Sequence, residues 1–309
     1  MTSGDPPSIA VQPDGPRNFL RPAVEAGGAR VVDPGDAEAL VWTAPADPAG
    51  LGALLDAHPG IRWVQLPWAG VEPYVEVIRA HATRRWTCGK GVYAEPVAEH
   101  ALALVLAGRR CLDRFARADR WTRPAGANLL GARVTILGGG GITTSLLRMV
   151  GPFGCDVTVV RRRPEAMAGA TRVVGDGALD EALTGADVVV LALALTPETD
   201  GIVDARRLDL LAPGATLVNV ARGRHVVTED LVAALAAGTL GSAGLDVTDP
   251  EPLPDDHPLW ALPTALITPH TANTPEMAVP LLSARVTDNV RRWSAGEPLV
   301  GPLDPAAGY

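Results

Sequence analysis

Four consecutive glycines, Gly138 to Gly141, constrain this chain more than any other stretch. They follow Ala132–Leu137 (ARVTIL), an apolar run of strand length, and precede a helical apolar pattern over Thr143–Phe153. A second strand pattern, Asp156–Val160 (DVTVV), closes a strand–loop–helix–strand unit of about 30 residues. Two successive parallel strands need such a crossover. In the dinucleotide fingerprint G-x-G-x-x-G the first glycine makes a tight turn. The second lets backbone approach a pyrophosphate, which sits on the N–H groups at the helix start. Gly138 and Gly140 fit those places, with Gly141 and Ile142 opening the helix. The third place is Thr143, whose branched side chain predicts a wider helix–strand spacing.

The same alternation runs along the whole chain. Strand patterns at Ile9–Val11, Ala29–Val32, Ala39–Thr43, Arg62–Leu66 and Arg85–Cys88 alternate with helical ones at Ala49–Ala57 and Pro73–His81. A long helix is expected from Val97 to Arg120, with Pro96 at its start. Beyond the glycine unit, strands are expected at Asp187–Leu193, Thr216–Val220, Ala243–Val247 and Ala265–Thr268. Helices are expected at Leu179–Thr184, Asp204–Leu211, Thr228–Ala237 and Pro275–Ser294. Thr228 is a cap candidate, and Gly238 ends its helix. The class is α/β, and 309 residues suggest two domains at about 150 residues each.

Composition narrows the partners. A net charge of −8, from 27 basic and 35 acidic residues, argues against nucleic acid or an anionic membrane. Aromatic residues are 4%, so Ala, Val and Leu must build the cores. Cys88, Cys111 and Cys155 are too few and scattered for a disulfide framework, and no grouping has zinc spacing, so no metal is expected. Residues 1–7 read as a loose tail without the basic and apolar regions of a signal peptide. No apolar stretch approaches the ~20 residues that span a bilayer. The expectation is a cytoplasmic protein.

After DVTVV the chain carries Arg161-Arg162-Arg163 where the fingerprint places an acid for the ribose 2′-hydroxyl. Guanidinium groups bind a 2′-phosphate through forked, charge-assisted contacts, so Arg161 and Arg162 predict NADP(H) over NAD(H), with NAD still usable.

Three residues of different chemistry close successive strands: Arg222 in VNVARG, Glu251 in LDVTDPEP and His270 in ITPHTA. Ligands of open parallel sheets bind at the carboxyl ends of strands. A planar fork, a carboxylate and an imidazole gathered on one edge mark a candidate site. The other histidines, His58, His81, His100, His225 and His257, read as structural or exposed. A short-chain reductase is excluded because a Tyr-x-x-x-Lys pair cannot be built around Lys90, the only lysine.

With LGGGGI (137–142), LTPETDGIV (195–203), VNVARG (218–223), LDVTDPEPLPDDHPLW (245–260) and ITPHTA (267–272), the chain resembles the D-isomer-specific 2-hydroxyacid dehydrogenases. The resemblance implies two Rossmann-like or flavodoxin-like domains with parallel sheets and the active site in the interdomain cleft. Residues 1–95 with 275–309 would form the substrate domain and residues 96–274 the NAD(P)-binding domain. Arg222 would clamp the substrate carboxylate, His270 would exchange the proton, and Glu251 would hold the other ring nitrogen. Asp246 would meet the nicotinamide carboxamide, Thr196-Pro197 and Ala221 would pack on the cofactor, and Trp68-Ala69-Gly70 would bind substrate. Trp68 could equally be a plain core residue. The resemblance implies a homodimer acting on a small 2-oxoacid or D-2-hydroxyacid, such as glyoxylate or hydroxypyruvate. The same fold also serves corepressors that sense nicotinamide nucleotides, which keeps a binding protein as the alternative.

Overall fold

The computed structural model describes residues 5–305 except Pro16 and Pro45, so part of the expected N-terminal tail lies outside the described residues. The chain forms two compact units, Met1–Tyr93 with Thr274–Tyr309, and Ala94–Asn273.

The first unit runs β1 (Ser8–Gln12), α1 (Leu20–Ala26), β2 (Arg30–Val31), β3 (Ala39–Trp42), α2 (Pro48–Ala57), β4 (Trp63–Gln65), α3 (Val75–Ala80) and β5 (Arg85–Thr87). Its parallel sheet has the order β2-β1-β3-β4-β5. β3 and β4 are buried along their whole length, as strands covered on both faces must be. Leu40, Val64, Leu55 and Ile78 pack on one face. Ile9, Val11 and Val24 pack on the other with Val286 and Val290. Asp47 caps α2 by accepting the Gly50 N–H at 2.8 Å. The expected strands are present; β1 extends one residue beyond its apolar run at each end, and β2 to β5 are slightly shorter than theirs. α1 was not anticipated, because Pro22 within LRPAVEA reads as punctuation although a proline in the first turn costs no hydrogen bond.

The second unit opens with α4 (Ala94–Arg109) and α5 (Leu112–Ala116), followed by β6 (Arg133–Leu137), α6 (Gly141–Val150), β7 (Asp156–Val160) and β8 (Arg172–Val174). It continues with α7 (Leu179–Leu183), β9 (Val188–Leu191), α8 (Ala205–Leu208), β10 (Ala215–Asn219), α9 (Thr228–Ala237), β11 (Leu240–Leu245) and β12 (Ala265–Ile267). The closing α10 (Pro275–Ala295) returns to the first unit. The seven parallel strands are ordered β12-β11-β10-β9-β6-β7-β8. α4 lies close on β10 and β11 because small residues allow it. A Cβ on Gly244 would stand 2.7 Å from that of Leu104, and one on Gly108 would stand 2.2 Å from the Ser242 hydroxyl.

Three expectations need correction. The single helix to Arg120 is two helices, broken where Cys111 takes a left-handed φ of 53°. Apolar residues give out there, so nothing holds residues 117–120 helical. Thr228 is not the cap of α9. Val227 holds that position, and the Thr228 hydroxyl donates to the Asp249 carbonyl at 2.8 Å. β8 was missed because this three-residue edge strand shows no buried alternation.

Candidate active site

In the second unit all strands are parallel, so the loops after β6, β7, β9, β10, β11 and β12 leave one edge. The glycine loop follows β6. Gly138 has φ 107°, and a Cβ there would come within 2.2 Å of the Ala192 carbonyl oxygen, so only glycine fits. Gly140 is the N-cap of α6, and a Cβ on it would meet nothing within 4 Å. The start of a ten-residue helix therefore faces open space with its first N–H groups unbonded within the helix. Thr143 is fully buried and its hydroxyl donates to the Gly138 carbonyl at 2.7 Å. The branched side chain at the third fingerprint place thus ties the helix to the glycine turn.

Arg161, at the end of β7, is half-buried and lies over that loop. A Cβ on Gly139 would meet its Cδ at 2.6 Å. Its guanidinium is 3.6 Å from Glu165. Arg162 and Arg163 are exposed. The loop after β9 is a turn in which the Thr196 N–H donates to the Thr199 hydroxyl at 2.8 Å, with Pro197 exposed beside it.

Arg222 leaves β10 in extended conformation, and three neighbours fix its backbone. Asn219, fully buried, accepts the Ala221 N–H at 3.0 Å and donates to the Arg222 carbonyl at 2.8 Å. His225, also fully buried, accepts the Arg222 N–H on Nδ1 at 3.1 Å, leaving Nε2–H for the Ala194 carbonyl at 3.3 Å. Burial lowers the His225 pKa against the opposing pull of its carbonyl contacts, which keeps the ring neutral and Nδ1 an acceptor. Gly223 carries no side chain because the Thr248 carbonyl oxygen would lie 1.9 Å from a Cβ. The Arg222 loop therefore rests directly on the loop that carries Glu251.

Glu251 and His270 meet. Nδ1 of His270 lies 2.7 Å from Oε1 of Glu251, so it donates there and leaves Nε2 for chemistry. The two side chains are roughly half exposed. His270 has φ 49°, which costs about 1 kcal/mol or more for a non-glycine residue. Asp246 holds it there. Its carbonyl accepts the His270 N–H at 2.8 Å. Its carboxylate accepts the Thr268 hydroxyl at 2.6 Å and the N–H groups of Thr271 and Ala272 at 2.9 and 3.1 Å. His100, on α4, bonds the Thr268 hydroxyl at 2.9 Å. Since that hydroxyl already donates to Asp246, His100 must donate through Nε2–H. Burial opposes the Asp246 charge, but these donors outweigh it and hold its pKa below the ordinary carboxylate value. Asp246, expected at a carboxamide, is 2% exposed and engages both oxygens within this loop.

Sequence reasoning missed Asn219, His225, Thr268 and His100 as holders of the site. His225, expected to be structural or exposed, is a buried structural residue bonded to the Arg222 backbone; Asn219 flanks Arg222 closely in the chain and could have been weighed. His100 is 168 residues from Thr268 and becomes a neighbour only through the fold. Among the described residues no group of three His, Cys, Asp or Glu could hold a metal, and no helix is long and apolar enough to cross a membrane.

Trp68, Ala69 and Gly70 belong to the first unit, on the loop after β4. The Trp68 ring is half-buried and tilted against Tyr74 at 5.8 Å. The Gly89 N–H donates to the Trp68 carbonyl at 2.8 Å, and the Tyr93 hydroxyl donates to the Pro67 carbonyl at 2.5 Å.

Comparison with known proteins agrees with this architecture. The family model described as D-isomer specific 2-hydroxyacid dehydrogenase, NAD binding domain, matches residues 101–272. An uncharacterised protein of Corynebacterium melassecola is 38% identical over 295 residues, 93% of this chain and 95% of that one. Glyoxylate/hydroxypyruvate reductase A of Serratia proteamaculans is 32% identical over 299 residues, 91% of each chain. A D-isomer specific 2-hydroxyacid dehydrogenase from Xanthobacter autotrophicus Py2, solved with NADPH and MES, superposes with a TM-score of 0.84 at 29% identity. That match covers 99% of this chain and 100% of the other.

Proposed function

The chain belongs to the D-isomer specific 2-hydroxyacid dehydrogenase family, and from that premise we propose that it reduces a small 2-oxoacid of the size of glyoxylate or hydroxypyruvate, with NADPH preferred to NADH. One observation carries the reading: a histidine held by a carboxylate at 2.7 Å on the same sheet edge as the glycine loop. The Serratia relative is named for glyoxylate and hydroxypyruvate, and the Xanthobacter structure holds NADPH, which supports both halves of the proposal.

The glycine loop suits a nicotinamide dinucleotide, since Gly138 permits the tight turn and the α6 N-terminus faces open space at Gly140. We assign Gly138, Gly140, Gly141 and Ile142 to the pyrophosphate and Arg161 and Arg162 to the 2′-phosphate. Thr196, Pro197 and Ala221 would line the nicotinamide side, and Asp246 would act by holding the His270 loop. A nicotinamide dinucleotide held there would supply, in its reduced form, the hydride for the substrate's carbonyl carbon.

The remaining work falls to the chain's own residues. The Arg222 guanidinium presents paired N–H donors to the substrate carboxylate. Trp68, Ala69 and Gly70, in the first unit, are assigned to substrate binding through backbone N–H groups and an aromatic wall. His270 gives a proton from Nε2 to the oxygen that becomes the hydroxyl, and takes one back in the oxidative direction. Glu251 accepts the Nδ1 proton and so fixes the ring with Nε2 presented. A cytoplasmic homodimer is part of the proposal. The exposed Leu112, Trp121 and Leu130, on one segment of the second unit, support a self-contact.

The test is NADPH oxidation against a panel of 2-oxoacids, with light scattering for the dimer. Turnover of glyoxylate or hydroxypyruvate, faster with NADPH than NADH, is the expected result. Absence of turnover across the panel with either cofactor would overturn the reading.

A further inference from the structure

The first sheet has its own ligand-binding geometry. In the order β2-β1-β3-β4-β5 the chain moves from β1 to one side and then returns to the other, so the order reverses between β1 and β3. Open parallel sheets take ligands outside their carboxyl ends at such a reversal. Arg17 stands there. It follows β1, and its guanidinium donates to the Thr43 carbonyl just past β3 at 3.0 Å. The same guanidinium carbon lies 5.2 Å from the centroid of the Trp68 ring, on the loop after β4. One side chain thus touches three successive strand ends.

Its charge is not neutralised there. A carbonyl and an indole face are uncharged partners, and among the described residues no ion pair to Arg17 exists. The acid on its own loop, Asp14, pairs with Arg21 at 2.5 Å instead. Arg285, the other guanidinium that faces Tyr93, differs. It donates to the Cys88 and Lys90 carbonyls and serves as a staple for the loop after β5. Arg17 bonds one carbonyl with a group that carries five N–H donors, and it is half-exposed.

We infer that Arg17 is a specificity-determining residue that reads the end of the substrate remote from the carbonyl, selecting 2-oxoacids with a second carboxylate over those ending in methyl. The inference rests on the proposed role of the Trp68-Ala69-Gly70 loop in holding the substrate. The Trp68 ring keeps the guanidinium flat and rigid, so a fork is presented to a planar anion at small entropic cost.

The test is calorimetric titration of 2-oxosuccinate and 2-oxobutyrate into the protein saturated with NADP⁺, where no turnover occurs. The two probes match in length and differ in the terminal group. Wild type is expected to bind 2-oxosuccinate roughly tenfold more tightly, the value of one charge-assisted hydrogen bond. Arg17→Met keeps an alkyl chain on the indole and should abolish that preference by weakening 2-oxosuccinate alone. Arg17→Lys should retain part of it. A wild type without the preference, or an Arg17→Met that weakens both probes equally, overturns the inference. Tight, selective binding without reduction under NADPH would leave it standing and overturn the proposed activity instead.

Discussion

The carboxyl edges of the two sheets are built differently. On the second sheet the loops are held by short polar side chains that are almost wholly buried: Asn219, His225, Asp246 and Thr143, none more than 2% exposed. Each bonds loop backbone or a neighbouring loop side chain directly. On the first sheet the loops are held by long or amphipathic side chains reaching carbonyl oxygens: Arg17 to Thr43, Tyr93 to Pro67 and Arg285 to Cys88 and Lys90. Burial pushes the Tyr93 pKa up to about 12, so its hydroxyl stays a donor throughout the working range. Short buried groups have few rotamers and lock a backbone in place, whereas long ones depend on a partner, as Arg17 does on the Trp68 ring, to hold them. Proton transfer, the task proposed for the second edge, needs atoms set to a fraction of an ångström. Recognition of one acid among several, the task proposed for the first edge, tolerates more adjustment.

The sharpest way to break this comparison is His270→Ala. It should lower kcat by about a hundredfold or more through loss of the general acid, with the NADPH dissociation constant unchanged. Steady-state rates on the best 2-oxoacid, with a fluorescence titration of NADPH, check both halves. A variant that keeps wild-type kcat would show that the rigid edge does not transfer the proton.

The next effect concerns the nucleotide. Replacing Arg161 and Arg162 together by Met should reduce kcat/KM for NADPH by roughly tenfold or more and leave NADH nearly unaffected, since only the former offers a 2′-phosphate to the lost guanidiniums. Equal losses for both cofactors would mean that Arg161 acts only by packing over Gly139.

Much of this edge was legible before any coordinates. The glycine run between a strand and a helix named its own turn, and Arg222, Glu251 and His270 each closed a recognisable strand. What the sequence hid was the second layer. Asn219 ends a buried strand and reads as a polar interruption. His100 sits beside Glu99 on α4 and gives no sign of the Thr268 hydroxyl it meets. The break at Cys111 was hidden because helical propensity is a weak prior that reverses when packing is absent. On the first edge, Arg17 was lost among the many arginines, because its meaning depends on which strands are adjacent.

A smaller effect follows acidity. Burial lowers the His225 pKa from its ordinary 6.5, so the neutral ring contributes stability in full above that value. The contribution is lost as pH falls through the lower, folded-state pKa, when Nδ1 gains a proton and can no longer accept the Arg222 N–H. His225→Leu should cost about 1–3 kcal/mol at pH 8 by leaving that N–H unsatisfied. The melting temperatures of wild type and variant should converge towards pH 5, as thermal denaturation at both pH values would show. A gap that stays constant would place the ring outside the polar scaffold of the loop.

The smallest effect tests whether the fingerprint or the scaffold decides residue 143. Thr143→Gly restores the third glycine of the motif, so a motif argument expects tighter NADPH binding. The structure argues the reverse. The Thr143 hydroxyl bonds the Gly138 carbonyl at 2.7 Å inside a fully buried site. Removing it forfeits about 1 kcal/mol of hydrogen bonding. A glycine within α6 adds a further ~0.5–1 kcal/mol of helix cost. The variant should melt several degrees lower and bind NADPH within about threefold of wild type, an effect of well under 1 kcal/mol. Tighter binding beyond that range would mean the threonine holds the helix away from the loop, and the second edge would then be less finished than its buried hydrogen bonds imply.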